Sequence, residues 1–184
     1  MQALPWAALA LLVSSFPALA GDLRINVEGL RSTVGTVLIG LYDSEASFDA
    51  AIQLADKEGF LNDPDRVAGV ALRANPDLLS SVIFTNLAPG RRYAAIVFHD
   101  ENGNGRLDKN FWGVPTEPYA FSNDARGTLG PPSFTAAAVT LDGDERTIEV
   151  TMIYHPSVAA TAAVTAAAAR RATAAEPRTS TARR

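Results

Sequence analysis

Apolar and polar residues alternate over short stretches in the middle of the chain. Leu23, Ile25 and Val27 alternate with charged or amide side chains, which is the two-residue period of a strand with one buried face. Similar stretches, separated by Gly, Pro or Asp, predict strands at 23–27, 37–42, 67–72, 81–87, 93–98, 136–141 and 147–154. The pattern therefore predicts an all-β fold, an immunoglobulin-like or transthyretin-like antiparallel β-sandwich of about seven strands.

One segment between the second and third predicted strands has helical spacing instead. Ser44 or Ser47 can cap a helix, and Phe48, Ile52 and Ala55 recur at intervals that place them on one helical face. We therefore expect one short inserted helix, covering one edge of the sandwich.

The entry into the fifth predicted strand has the chemistry of a tight turn. Pro89 fixes φ and Gly90 permits a positive φ, so the chain can reverse before Tyr93. We expect the Tyr93 ring to point inward and its hydroxyl to return to the backbone near the turn, as in the tyrosine corner of sandwich domains.

The two ends of the chain differ from this pattern and define its organisation. Residues 1–20 form an uncharged apolar run that closes with Ala18-Leu19-Ala20, the small residues that a signal peptidase reads. Residues 157–184 consist mainly of Ala, Thr and Arg without an aromatic residue, so they have no apolar face to bury. The prediction is a signal peptide at 1–20, a β-sandwich domain at 21–156 and an Ala/Arg-rich disordered tail at 157–184.

Export determines the expected location and partners. The predicted signal peptide implies a periplasmic or secreted protein, with no transmembrane segment left after cleavage. Residues 21–156 contain 11 basic and 19 acidic side chains, a net charge of −8, whereas the tail has a net charge of +4. Nucleic acid is therefore not expected as a partner. An envelope protein or a glycan is possible, and the sequence identifies neither.

Composition excludes several kinds of chemistry. The chain has no Cys, which excludes disulfide scaffolds, thiolate zinc sites and cysteine nucleophiles. Its two His residues leave little room for a multi-histidine metal site. The remaining ligands are oxygens from Asp, Glu, Asn and backbone carbonyls.

The stretch from Asp100 to Asp108 has the spacing of a calcium loop. Asp100, Asn102 and Asn104 occupy positions 1, 3 and 5 of a D-x-[DN]-x-[DN]-G pattern, and the Arg106 carbonyl and Asp108 occupy positions 7 and 9. These residues are the candidate ligands for Ca²⁺, the one cofactor that the sequence suggests. An EF-hand is excluded because position 12 is not the required Glu, so Glu117, Asp124 or water would have to complete the site.

Two alternatives remain open beside calcium. The Asn-Gly-Asn-Gly run also forms good turns without any ion. His99 shares the inward face of its strand, so it either orders the loop by hydrogen bonding or acts as a general base beside Asp100. The first role is favoured because no Ser or Cys nucleophile is nearby, and no catalytic residue is assigned.

The segment after this loop, 110–132, is rich in aromatic residues and poor in strand signal. It contains Trp112, Glu117, Tyr119 and Phe121, with four Pro residues. Long loops of this kind are usually functional or disordered, and the aromatic content argues against disorder. We expect the rings to pack over the open end of the sandwich, with Trp112 buried. The alternative is an exposed aromatic platform for sugar rings or a peptide.

Several of these motifs together resemble a known family. The motifs are Phe98-His99-Asp100-Glu101-Asn102-Gly103-Asn104-Gly105, Gly113-Val114-Pro115-Thr116-Glu117-Pro118-Tyr119 and Gly130-Pro131-Pro132-Ser133-Phe134. Over about residues 21–154 the chain resembles the bacterial exported family catalogued as domain of unknown function 2141. The resemblance implies a small envelope protein with no established activity, and the tail lies outside it.

These observations favour a non-enzymatic binding or structural module of the cell envelope, with calcium as a candidate stabilising ion. The alternative is a carbohydrate-binding module that uses the aromatic loop, and a hydrolase comes third.

Overall fold

A computed structural model describes residues 20–75 and 80–154. The elements in chain order are β1 Gly21–Glu28, β2 Thr36–Tyr42, α1 Glu45–Leu54, β3 Ala68–Arg73, β4 Ser80–Leu87, β5 Arg92–Asp100, β6 Tyr119–Phe121, α2 Phe134–Ala137, β7 Val139–Thr140 and β8 Glu145–Thr151. Short 3₁₀ turns lie at Phe60–Asn62 and Ser122–Asp124. The predicted signal peptide, apart from Ala20, and the predicted tail lie outside the described residues.

The strands form two sheets, which confirms an all-β fold. One sheet has three strands in the order β4-β1-β8, and the other has the order β3-β2-β5-β6 with β7 paired to the start of β5. The prediction of a wholly antiparallel sandwich is wrong at one pair, because β1 and β8 run parallel. The Asp22 amide donates to the Asp144 carbonyl over 2.8 Å, so β8 begins beside the start of β1 and follows it in the same direction.

Most predicted elements are present, with two differences around the third quarter of the chain. The predicted strand at 136–141 is wrong in its first part, because Ser133 caps a helical turn by accepting from the Ala136 amide at 3.3 Å. Only Val139–Thr140 of that segment is a strand. The three-residue strand β6 lies inside the segment that showed little strand signal.

The main core lies between the two sheets. Strand β1 alternates strictly, with Leu23, Ile25 and Val27 buried against Val37 and Val97 of the larger sheet. Burying each such side chain contributes about 1.5–3 kcal/mol relative to leaving it exposed. The period-2 pattern of the sequence is therefore what orients the smaller sheet.

A second core lies on the other face of the larger sheet, where α1 and the segment after β6 cover it. Phe48 of α1 is fully buried, and its ring lies 6.0 Å from that of Phe121 and 5.9 Å from that of Phe134. Helix α1 thus covers this face, and the expectation that it covers an edge is wrong. Because β5 is covered on both faces, its sequence is a nearly continuous apolar run instead of an alternating one.

The tyrosine corner is present as predicted. Tyr93 is buried, and its hydroxyl accepts from the Ala88 amide at 2.9 Å and donates to the Ala88 carbonyl at 3.2 Å.

Within residues 20–75 and 80–154, no helix has the length and apolar content needed to cross a membrane.

Candidate functional site

Residues 100–108, called here the Asp100 loop, wind around one buried carboxylate. Asp100, at the end of β5, is only 3% exposed. Its Oδ1 accepts from the amides of Gly103 at 2.7 Å and Asn104 at 3.0 Å, and its Oδ2 accepts from Gly105 at 2.7 Å. Both glycines have positive φ, 76° and 75°, so the chain can turn tightly enough for three amides to reach one side chain.

The other candidate ligands converge on Asp108. The Asn102 side-chain amide donates to its carboxylate at 2.7 Å, that of Asn104 at 3.1 Å, and the Arg106 Nε at 3.2 Å. Burial by itself would raise the pKa of Asp108, but these donors outweigh it and lower the pKa. Asn102, Asn104 and Arg106 therefore meet Asp108 through their side chains, whereas Asp100 is held by backbone amides. Arg106 takes part through its guanidinium, although its carbonyl was the predicted ligand.

Glu117 joins both ends of the Asp100 loop. Its Oε1 accepts from the Glu101 amide at 2.9 Å and its Oε2 from the Asp108 amide at 3.1 Å, and the side chain is buried. Burial raises the pKa of Glu117, and the charges of Asp108 and Asp100 add to that rise. The sequence placed Glu117 among possible extra ligands, and the structure does bring it to the loop.

His99 hydrogen-bonds within the fold, but its partner lies in the turn before β2 and not in the Asp100 loop. It is fully buried and its Nε2 lies 2.6 Å from the carbonyl oxygen of Val34. Gly35, next in the chain, packs so closely that a Cβ there would collide with the Asp100 carbonyl oxygen. The histidine thus fixes the turn before β2 against the end of β5.

The loop as described is closed by its own hydrogen bonds. Both Asn side chains present amide nitrogens to Asp108, and a cation would require these amides to rotate so that their oxygens replace the nitrogens. In the described ranges, no group of three or more His, Asp and Glu side chains is placed to hold a metal ion. Asp124, the other candidate for completing the site, instead accepts from the Thr151 amide at 2.9 Å.

Residues 108–116, called here the Trp112 hairpin, form a rigid projection beside this loop. The Asn110 side-chain oxygen accepts from the amides of Trp112 at 2.9 Å and Val114 at 3.1 Å. The Asn110 amide donates to the Val114 carbonyl at 2.8 Å, and Gly113 has φ 77°. The apex is therefore held by hydrogen bonds and not by packing of its side chains.

The prediction that Trp112 is buried is wrong. Trp112 is 82% exposed and Phe111 94% exposed, and the two rings contact each other with centroids 5.4 Å apart. Asn110 satisfies the backbone of the turn without help from the sandwich, so the apex projects into solvent. Phe121 is buried and Tyr119 is half-buried, with ring centroids 5.9 Å apart. Both pack on the outer face of the larger sheet and not over the open end of the sandwich.

A cleft of about 460 Å³ lies at the base of the Trp112 hairpin. Its floor is the outer face of β5 and β6, and one side is formed by the end of α1. The Trp112 hairpin and residues 127–131 form its two walls. The cleft is thus built on the second core and is open between two loops.

Sequence analysis missed several residues of this cleft. Leu129 is fully exposed and Val114 is 42% exposed, and both line the cleft together with Lys109. A single large apolar residue in the run Gly127-Thr128-Leu129-Gly130 has no neighbours with which to form an element. The isolation of Leu129 among small and polar residues was the sequence signal that could have indicated an exposed cleft residue.

These features define an all-β domain with a loop-built cleft on one face. A family model described as "Uncharacterized protein conserved in bacteria (DUF2141)" matches residues 25–149, and the chain belongs to this family. Neither the curated proteins nor the solved structures contain a match.

Proposed function

We propose that this protein is an exported, non-enzymatic binding module whose ligand occupies the cleft beside Trp112. The observation that carries the proposal is the 82% exposure of Trp112 on a hydrogen-bonded hairpin at the cleft wall. Large apolar side chains held rigidly in water are a feature of binding surfaces. The cleft volume of about 460 Å³ lies within the usual range for small-ligand sites, roughly 300–1,000 Å³.

The chemistry of the cleft supports binding over catalysis. Among the residues that the structure describes, Lys109 is the one charged side chain that lines the cleft, and its Nζ pairs with Asp56 at 3.3 Å. Acid–base or nucleophilic catalysis needs at least two cooperating groups within hydrogen-bonding reach. The carboxylates of Asp100 and Asp108 are already engaged, Asp100 by backbone amides and Asp108 by the side chains of Asn102, Asn104 and Arg106, so they serve the fold.

The first test uses Trp112 as its own reporter. A Trp6→Phe variant leaves Trp112 as the sole tryptophan of the chain. We expect its emission to lie near that of free tryptophan and to be readily quenched by acrylamide, because the indole is exposed. Blue-shifted emission that resists the quencher would contradict the proposed site.

A carbohydrate-binding module is the second candidate, and the exposed indole face of Trp112 favours it. An aromatic ring presented to solvent can stack on the apolar face of a sugar ring. In the same Trp6→Phe variant, soluble oligosaccharides should then change the emission at concentrations where a matched polyol does not.

We also propose the immunoglobulin-like or transthyretin-like arrangement for the two sheets. The Tyr93 corner and a core shared by both sheets support it. Residual dipolar couplings measured in solution should place the strands of the two sheets within about 30° of each other. A near-orthogonal packing would exclude this arrangement.

Export carries its own prediction. Strand β1 begins at Gly21, directly after Ala20, so cleavage there leaves the whole first strand intact. Mass spectrometry of the periplasmic or secreted protein should give an N-terminus at Gly21. An intact Met1 on cytosolic protein would contradict export.

Stabilisation of the Asp100 loop by Ca²⁺ is the last part of the proposal. The charges of Asp108 and Asp100 both raise the pKa of Glu117, and a bound cation would relieve this repulsion. A ligand that binds only the folded state at a hundredfold excess over Kd stabilises it by about 2.7 kcal/mol. Thermal melting in millimolar Ca²⁺ should therefore occur at a higher temperature than in chelator. Identical melting curves would contradict calcium binding and indicate that the Asn-Gly-Asn-Gly turn forms without an ion.

A further inference from the structure

Asp56 lies between two lysines at the edge of the cleft. Its carboxylate oxygens are 3.3 Å from the Nζ of Lys109 and 3.6 Å from the Nζ of Lys57. Burial by itself would raise the pKa of Asp56, but the hydrogen bond and charge of Lys109 outweigh it and lower the pKa. Two ammonium groups on one carboxylate leave one positive charge unbalanced. Asp56, Lys57 and Lys109 together therefore carry a net charge of +1, in a domain whose net charge is −8.

The interior of the cleft is mostly hydrocarbon. Its floor and back are formed by Ile52, Ile96, Phe98 and Leu107. Among the described lining residues, the side chains that carry a polar group are those of Lys109, Trp112, Thr128 and Tyr119. A ligand rich in hydroxyl groups would give up hydrogen bonds to water here and find few replacements, which is costly. An alkyl chain has no such hydrogen bonds to lose and gains from burial.

The two walls are suited to enclose such a chain. Trp112 and the fully exposed Leu129 stand on the two loops that bound the cleft. Both side chains are left in water by the fold itself, so burying them against a ligand is favourable without any change in the core.

We propose that the ligand is a single-chain anionic amphiphile, with its alkyl chain in the cleft and its acidic group beside Lys109 and Lys57. This inference rests on the proposed function, because it assigns a ligand class to that same cleft. The apolar lining accounts for the chain, and the unbalanced lysine charge accounts for the acidic group.

The test measures occupancy of the cleft and the preference for a ligand class separately. The neutral dye N-phenyl-1-naphthylamine reports occupancy of the cleft through its fluorescence. Three competitors then share one twelve-carbon chain and differ in head group: dodecanoate, 1-dodecanol and dodecyltrimethylammonium, each kept below its micelle concentration. We expect dodecanoate to displace the dye at the lowest concentration and the cation at the highest.

Variants assign the binding to residues. Lys109→Gln should weaken dodecanoate about threefold to fivefold, the scale of a partly exposed ion pair, and leave dodecanol unchanged. Lys57→Gln should weaken dodecanoate less, because Lys57 reaches Asp56 but lies outside the lining. The matched control is Arg91→Gln, which removes a cation paired with Asp43 at 3.3 Å that does not line the cleft. Trp112→Ala should weaken the dye, whereas Phe111→Ala should not, because Phe111 is equally exposed but lies outside the lining.

Each outcome decides between the two proposals. Two results would overturn the anionic amphiphile and keep the cleft as a binding site. One is that the dye binds but all three chains displace it equally. The other is that Arg91→Gln weakens dodecanoate binding as much as Lys109→Gln does. Displacement of the dye by an oligosaccharide but by none of the three chains would have the same effect and favour the glycan. Failure of dye, chains and oligosaccharides alike to bind the folded full-length protein would overturn the proposed function as well.

Discussion

Replacing Asp100 with Ala is expected to lower the free energy of unfolding by about 2–4 kcal/mol, even in the presence of chelator. The carboxylate is 3% exposed and accepts three backbone amides within 3.0 Å. Charged hydrogen bonds are the stronger kind, and their loss leaves three donors of a tight loop without partners. Urea denaturation followed by circular dichroism measures the change, and an unaltered midpoint would contradict it.

Two further variants separate hydrogen bonding from charge. Asp100→Asn keeps one acceptor oxygen but sets an amide nitrogen against a backbone donor, so we expect roughly half the loss of Asp100→Ala. Asp142→Ala removes a carboxylate whose side chain is 77% exposed, and should change stability by no more than about 0.5 kcal/mol. Equal losses for Asp142→Ala and Asp100→Ala would show that net charge is responsible instead of the loop.

The strands were predictable because their signal is local. In β1 every second residue is apolar, and the same residues are buried between the sheets. The turn before Tyr93 was predictable for the same reason, since Pro89 and Gly90 define it within two residues. Period and turn chemistry are properties of neighbouring residues, so they can be read without the fold.

The parallel pairing of β1 with β8 was not predictable in this way. It depends on where the chain returns after β7, and one contact from Asp22 to Asp144 places β8 beside β1. These residues are far apart in sequence, and neither has a distinctive pattern. Strand β6 was missed because three residues are too few to show a period.

The candidate site likewise has one part that is encoded locally, the Asp100 loop, and one part that depends on the fold, the cleft. The Asp100 loop is local, so the residue set from Asp100 to Asp108 was predicted and is found together. The cleft is formed by segments near residues 52, 96, 112 and 129, which meet only after α1 and β6 have packed against β5. Trp112 was predicted wrongly because its exposure depends on the Asn110 side chain, whose bonds to the hairpin amides make packing unnecessary.

Two aromatic truncations should therefore have opposite consequences. Phe48→Ala is expected to lower the free energy of unfolding by about 3–5 kcal/mol, because it removes a fully buried ring that contacts Tyr42, Phe121 and Phe134. Trp112→Ala removes a larger side chain that is 82% exposed, so we expect a loss of no more than about 0.5 kcal/mol. Urea denaturation followed by far-ultraviolet circular dichroism compares the two without relying on tryptophan fluorescence.

The comparison also tests which aromatic residues belong to the core. Phe48→Leu keeps much of the buried volume and should recover part of the stability lost in Phe48→Ala, because a smaller cavity remains. Phe111→Ala, which shortens the neighbouring 94% exposed ring, should resemble Trp112→Ala in stability. A loss of several kcal/mol in Trp112→Ala would mean that the indole packs on the domain in solution, and the hairpin could then no longer present it to a ligand.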